Sequence, residues 1–420
     1  MRYVLMEKAK QENRAFLIWD VGPAVDHALR LVKDGNRVLY FTEWADSSPK
    51  FNKYVPGLGY EGLTKVKNFF NFVDKVDCVC FFYIGRGDLC SWLRGEGYTC
   101  FGAGMGERLE KSRSWAKKIQ KEIGLPVQSY KLINGVDNVI SYLKKNPGKY
   151  IKLDIFRGDL ETFFAEDAES AEAILNPMKV KLGPYADSFE FMVEDKVQDV
   201  VVETGWDLFF NGRNFLKPYL WNYLYRGIYM GRYSEVMPKP LMRVMNAIKP
   251  ILIGLDYRGA ISCEVLITKK GEPYLLDLTT RIPYPSGIQN TYSLNNYSEV
   301  IWKVAKGEDV ALDVKNEYVG ALDLESPYVM SNWAKVSYPP ELSDKIRIQG
   351  ARYEDSEYVI PQEGYPLFAE LITCKGSVKD AMADLKKMST KVSCTGYESK
   401  IDEDAFYKVV SAGRSVGLNF

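Results

Sequence analysis

Two carboxylates interrupt apolar runs that otherwise read as strands. Glu264 lies within the alternating stretch Ile261, Cys263, Val265, Ile267, and Asp277 lies within Tyr274-Leu275-Leu276-Asp277-Leu278. A Lys270-Gly271 turn separates them, so the pattern predicts a β-hairpin whose strands bring the two acids near one another. Acids inside strands are costly unless they are paired or bind a cation. Two readings follow: a carboxylate pair that holds a metal, or two strand acids satisfied by Arg258 or Arg281. Magnesium suits the first, because it takes hard oxygen ligands and usually shares them with substrate phosphates. Lys152, in Tyr150-Ile151-Lys152-Leu153-Asp154, is a lysine in a strand pattern, and a phosphate would explain it.

The elements that must position these groups begin at the N-terminus. Residues 15–20 read as a buried strand, Val21-Gly22-Pro23 as a turn, 24–33 as a helix and 37–42 as a second strand after Asp34-Gly35-Asn36. That order predicts a βαβ unit of a parallel sheet. The first turn carries one glycine, not the three of a dinucleotide fingerprint, although a helix N-terminus there can take a phosphate or carboxylate. The single histidine, His27, either contacts a ligand or packs this helix. A third strand over 76–84 leads to Gly85-Arg86-Gly87-Asp88, at a strand end where open α/β sheets bind ligands. Arg86 and Asp88 are therefore either substrate contacts or plain turn residues. A helix over 89–96 and a strand over 98–101 follow.

A chain of 420 residues should divide into about three domains, and 46% hydrophobic with 26% charged residues is ordinary for a folded globular protein. Lys plus Arg equals Asp plus Glu at 55 each, so no bulk field draws the chain to nucleic acid or an anionic membrane. The seven cysteines show no zinc spacing, which fits reduced thiols and a cytoplasmic location. The first residues predict no signal peptide, and no apolar run approaches the ~20 residues of a membrane span.

The segment over 101–126 carries a denser pattern: Phe101-Gly102-Ala103-Gly104, then Leu109-Glu110-Lys111-Ser112-Arg113, Lys117-Lys118 and Gly124-Leu125-Pro126. With Lys152 and the hairpin, which ends in Asp277-Leu278-Thr279-Thr280-Arg281, it resembles the ATP-grasp ligases, and among them the phosphoribosylamine–glycine ligases. The resemblance extends over nearly the whole chain, with its specific motifs at 101–152 and 254–287.

That resemblance implies an α/β (α+β) architecture. An N-terminal parallel, biotin-carboxylase-like domain (1–103) would precede an ATP-grasp region (104–320), which includes a lid (124–194) and the metal hairpin (254–287). A small mixed α/β domain (321–420) would follow. It implies ATP and magnesium, with manganese as an alternative ion. Glu264, Asp277 and Thr279 would hold the metal, Thr279 standing where the family has Asn. Lys111, preferred over Lys117, and Lys152 would contact phosphates, with Glu194 on ribose and Glu203 as a second nucleotide contact. The family's glycine-rich phosphate loop is shortened here, and Arg157 would replace its amides electrostatically. Arg281 would face an acyl phosphate, while Arg226 and Arg232, with Arg86 and His27, would bind substrate.

The activity so implied is ATP-dependent joining of a carboxylate to an amine through an acyl phosphate, by a monomer or homodimer acting on small molecules. The purine-pathway glycine ligase itself, and a nucleotide-binding fold without turnover, are the alternatives. The substrate loops differ from the family's at 222–234 and 282–287, where Pro283 and Pro285 stiffen the chain and an acidic pair is missing.

Overall fold

The computed structural model describes residues 13–42, 56–154, 162–283, 287–348, 350–355, 357–361 and 366–420. Arg157 and the loop centre at 284–286 lie outside them. Strands β1 (Ala15–Asp20) and β2 (Arg37–Thr42) flank helix α1 (Val25–Lys33), and β3 (Leu63–Lys65), β4 (Cys78–Phe81) and β5 (Cys100–Phe101) complete a parallel sheet in the order β3-β2-β1-β4-β5. Phe16, Leu17, Ile18 and Trp19 are all buried, as both faces of a parallel sheet require. The short β3 lacks the alternation that would mark it in sequence. Helix α2 (Gly87–Gly95) lies between β4 and β5.

Helices α3 (Arg108–Lys111) and α4 (Arg113–Glu122) lead into a four-stranded antiparallel sheet. It consists of β6 (Tyr130–Asn134), β7 (Lys149–Leu153), β8 (Thr162–Ala165) and β9 (Glu190–Asp195) in the order β6-β9-β7-β8. Helices α5 (Val136–Leu143) and α6 (Ala168–Leu182) accompany it. The sequence predicts that Pro177 ends the second of these helices, yet α6 runs through it. Pro177 and Ala173 are both exposed, so water can satisfy the carbonyl that loses its N–H partner.

The largest sheet is built from β10 (Val200–Asn211), β11 (Tyr219–Tyr225), β12 (Ile228–Ser234), β13 (Arg258–Thr268) and β14 (Pro273–Thr279), with α7 (Lys239–Gly254) before β13. Helices α8 (Asn290–Ser293) and α9 (Tyr297–Lys306) follow, then β15 (Tyr318–Glu325), β16 (Ala334–Ser337), β17 (Ile346–Ile348), β18 (Arg352–Glu354), β19 (Glu357–Ile360) and β20 (Leu367–Lys375). Helix α10 (Val378–Ser389), β21 (Ser393–Cys394) and α11 (Glu403–Arg414) close the chain, with Ser377 capping α10 as its sequence suggests. Eight strands join in the order β14-β13-β10-β11-β12-β15-β20-β17, and β18-β19-β16-β21 form a separate small sheet. A boundary at residue 320 falls inside β15, and β15 and β20 extend the central sheet beyond it.

One face of the central sheet is apolar: Trp206, Trp221, Cys263 and Leu278 are buried together with Leu241, Val244 and Ile248 of α7. The other face carries Asp207, Glu264, Asp277 and Thr279, and beyond them Phe209, Leu220 and Ala260, which belong to a second core. None of the seven cysteines is in a disulfide, and no helix among the described residues is long and apolar enough to cross a membrane.

Candidate functional site

The hairpin forms as its sequence predicts, and Glu264 stands directly opposite Asp277. The register that produces this is irregular. Ile267, Leu266 and Val265 pair with Pro273, Tyr274 and Leu275, and the next pair is Glu264 with Asp277, so Leu276 is bulged out. In an unbroken strand Asp277 would share the face of buried Leu275. The bulge turns it instead to the polar face, and Leu278 takes its place in the core. Thr279 pairs with Ser262 on the same polar face.

Asp277 is the outer end of a buried charge network. Its Oδ1 lies 3.4 Å from Arg113 Nε and its Oδ2 3.8 Å from Lys152 Nζ. Lys152 Nζ is 3.1 Å from Glu194 Oε2, and Lys117 Nζ is 3.2 Å from Glu194 Oε1. The last contact is an ion pair without hydrogen-bond alignment, since Glu194 Oε1 accepts no hydrogen bond. Lys117 donates to Gln128 Oε1 at 2.8 Å, and Arg113 Nη1 to the Leu153 carbonyl at 2.6 Å. Arg113, Lys117, Lys152 and Glu194 are all buried. Three cations, Arg113, Lys117 and Lys152, thus converge on Glu194 and Asp277.

The two lysines respond differently to this setting. Burial pushes the Lys117 ammonium below its ordinary range despite Glu194. Burial acts on Lys152 as well, but the charges of Asp277 and Glu194 together outweigh it and raise that ammonium. Beside them Gln120 Oε1 is buried without a partner, and the cavity enclosed by Arg113, Lys117, Lys152 and Asp277 is about 10 Å³. That is room for one water.

The structure places Lys117, rather than the preferred Lys111, in the charge network. Lys111 pairs with Glu107 at 3.1 Å and is 43% exposed, outside the network. Ser112 is extended (φ −125°, ψ 103°) and caps α4 through Trp115 N–H, so α3 and α4 are separate helices on which the two lysines point differently. Glu194, expected on a ribose, is committed to the two lysines. Glu203 lies on the polar face, paired in register with Leu266, and burial with the Asp277 charge raises its carboxyl.

Arg281 lies beyond the hairpin, its Nε 3.1 Å from Glu110 Oε1 and its guanidinium 4.9 Å over the Tyr83 ring. Glu110 also accepts from Thr280 N–H at 2.7 Å, which locks the end of β14 to α3. Arg113 and Glu110 were missed as site residues because only tertiary packing gives them partners.

Four proposed substrate contacts have a different setting. His27 is buried, its Nδ1 2.6 Å from Tyr297 Oη, and burial, with Arg347 nearby, lowers it to about 3. Its ring is held neutral against Tyr297, and it lines a cavity of about 10 Å³ that Arg281 also lines. Arg86 donates to the Gly85 carbonyl at 3.0 Å and sits over Trp19. The 222–234 stretch, expected as a substrate loop, is the β11–β12 hairpin. Register places Arg232 beside Trp221 on the apolar face, where it pairs with Glu317 at 2.7 Å and Asn419 O at 2.7 Å. Arg226 is at the turn, 71% exposed, 3.7 Å from Asp402. Neither arginine reaches the polar face.

Asp207 is an acid on the polar face that the sequence pattern did not single out. It is buried, and its Oδ2 accepts from Asn222 at 2.8 Å and Tyr229 at 2.6 Å, while Oδ1 accepts no hydrogen bond. Burial raises it to about 6, against the pull of Tyr229, Ser262 and Asn222.

Among the described residues, no group of three or more His, Cys, Asp or Glu side chains is placed to hold a metal ion alone. Two facing carboxylates are a partial donor set that fits magnesium shared with phosphate.

No protein-family model matches the sequence, and no curated protein matches it. Solved structures do. Phosphoribosylamine–glycine ligase from Thermotoga maritima is similar at a TM-score of 0.66 and 15% identity, over 91% of this chain and 98% of that one. The biotin carboxylase domain dimer of Hydrogenobacter thermophilus 2-oxoglutarate carboxylase, in complex with MgADP, ADP and bicarbonate, gives 0.66 and 13%, over 92% and 91%. N5-carboxyaminoimidazole ribonucleotide synthetase from Thermotoga maritima gives 0.62 and 14%, over 91% and 99%. The chain has the ATP-grasp fold. Its resemblance to the phosphoribosylamine–glycine ligase extends over nearly the whole length of both chains.

Two outcomes test this site. Glu194→Gln strands two buried ammonium groups and should cost about 3–5 kcal/mol in urea unfolding, with much of the loss restored by added tripolyphosphate. No loss would contradict the network, and loss without rescue would contradict anion binding at it. Asp207, with a folded pKa near 6 against 3.8 unfolded, holds its proton more tightly when folded. Stability should therefore fall as pH rises from about 4 to 6, by on the order of 2–3 kcal/mol. Thermal melts of Asp207→Asn should lack that component and show a relative gain at pH 8 but not at pH 4.

Proposed function

We propose that the chain is an ATP-dependent carboxylate–amine ligase that forms an amide through an acyl phosphate. The observation that carries this reading is the buried network of Arg113, Lys117 and Lys152 around Glu194 and Asp277, in an ATP-grasp fold. Three cations concentrated at one place suit a triphosphate. In this reading the incoming phosphates take over from Glu194 as partner of the two lysines. In the same reading the segment 124–194 acts as the lid.

Magnesium, bound with the nucleotide, would neutralise charge on the transferring phosphoryl group. Glu264 and Asp277 would hold it, with the Thr279 hydroxyl beside them. Arg281, braced by Glu110 and Tyr83, would steady the phosphate of the acyl intermediate while the amine attacks its carbonyl carbon. Phosphoryl transfer depends on positioning and charge stabilisation, so this scheme needs no acid–base histidine. That agrees with a His27 held neutral and engaged by Tyr297. The carboxylate and amine are small molecules in this proposal, and a homodimer is the assembly we propose.

Asp277→Asn removes one carboxylate charge at nearly constant volume. It should abolish magnesium-dependent ADP release, measured across a panel of carboxylates and amines, while the thermal midpoint stays within a few degrees. Turnover like the parent's would remove Asp277 from the mechanism. Nucleotide binding without ADP release from any pair in the parent protein would select the reading without turnover.

A further inference from the structure

A groove of about 430 Å³ lies away from the charge network, between α1 and the C-terminal strands β17 and β19. It shares no lining residue with the cavity around Lys117 and Lys152. Its volume falls within the range of small-molecule pockets.

Two ion pairs at its margin are complete: Arg30 with Asp34 at 2.8 Å and Lys33 with Asp344 at 2.7 Å. Three charged groups of the lining are not. Arg347 spends Nε on Thr291 Oγ1 at 3.2 Å and Nη1 on the Asp344 and Ile346 carbonyls at 3.1 and 2.8 Å. Its Nη2 donates to nothing among the described residues, and it forms no ion pair with any of them. Lys315 stands 3.8 Å over the Tyr292 ring, with no carboxylate partner among the described residues. Asp26 accepts no hydrogen bond and has no ion-pair partner among them, although the field of Arg347 reaches it. Tyr338 and Tyr358, stacked at 5.4 Å, line it as well.

We propose that this groove binds a small amino acid with two carboxylates, its ammonium group on Asp26 and its carboxylates on Arg347 and Lys315. Among the described residues two cations and one acid of the lining form no ion pair, which matches that charge pattern, and Glu370, opposite Arg347 in register, has its carboxyl raised by burial so that it supplies little countercharge. A guanidinium with a free amino group grips a carboxylate, and an exposed lysine adds reach. Burial raises the Asp26 carboxyl to about 7, with Arg347 only partly opposing it, and a bound ammonium would lower it again. The site is separate from the nucleotide reading and does not depend on it.

Calorimetry on the full chain tests the assignment with L-glutamate, glutarate, γ-aminobutyrate and putrescine as probes. L-glutamate should bind at least tenfold more tightly than the other three. Asp26→Asn and Lys315→Met should each weaken it at least fivefold, and Arg347→Met more, with magnesium-ATP binding unchanged in all three. Lys315 is exposed, so its variant tests the site even if Arg347→Met fails to fold. Equal binding of glutarate, unchanged binding in Lys315→Met, or no glutamate heat at millimolar concentration would overturn the proposal. So would a dimer that dissociates on Arg347→Met with no ligand heat, which would give the groove to a second copy of the chain.

Discussion

A single buried carboxylate, Glu194, lies between two buried lysines, and the geometry of the candidate site depends on that contact. Lys117 comes from α4, Lys152 from β7 and Glu194 from β9, so one acid ties a helix to two neighbouring strands. Asp277 and Arg113 extend the tie to the hairpin of the central sheet. Removing one partner of a buried pair leaves an uncompensated charge, which is far more costly than the pair's own net contribution is favourable. The same arrangement that is poor value for stability is well suited to exchange partners with an anion.

Sheet register decides which residues can take part. Glu264, Asp277, Thr279 and Asp207 occupy the polar face because of their strand positions, and a one-residue bulge at Leu276 delivers Asp277 to it. Arg232 is excluded by the same rule, since its partner Trp221 belongs to the core. Chemistry legible in a side chain is thus available only where the pleat points it.

Much of this was legible in the sequence and some was not. The alternation on both sides of Lys270-Gly271 was enough for the hairpin, and the apolar runs around Ile18 and Leu39 for the parallel sheet. Lys152 stood out because a lysine rarely sits in a buried strand. The choice between Lys111 and Lys117 was not readable, because it turns on the single extended residue Ser112 that separates two helices. The arginines at 226 and 232 resembled a binding loop by composition, but Arg226 falls in the tight turn of the β11–β12 hairpin and Arg232 is paired opposite Trp221 on the apolar face. Arg347 escaped notice because its strand is three residues long and its neighbours, Asp26 and Thr291, are distant in sequence.

The central claim is that the Lys117–Glu194–Lys152 network is where nucleotide phosphates bind. Titration of magnesium-ATP into the parent protein and into Lys152→Met, followed by calorimetry, measures it most directly. Methionine keeps most of the aliphatic packing and removes the ammonium. The account predicts binding to the parent and at least tenfold weaker binding to the variant. Equal affinity in the two proteins would make Lys152 a structural partner of Glu194 alone and contradict the account.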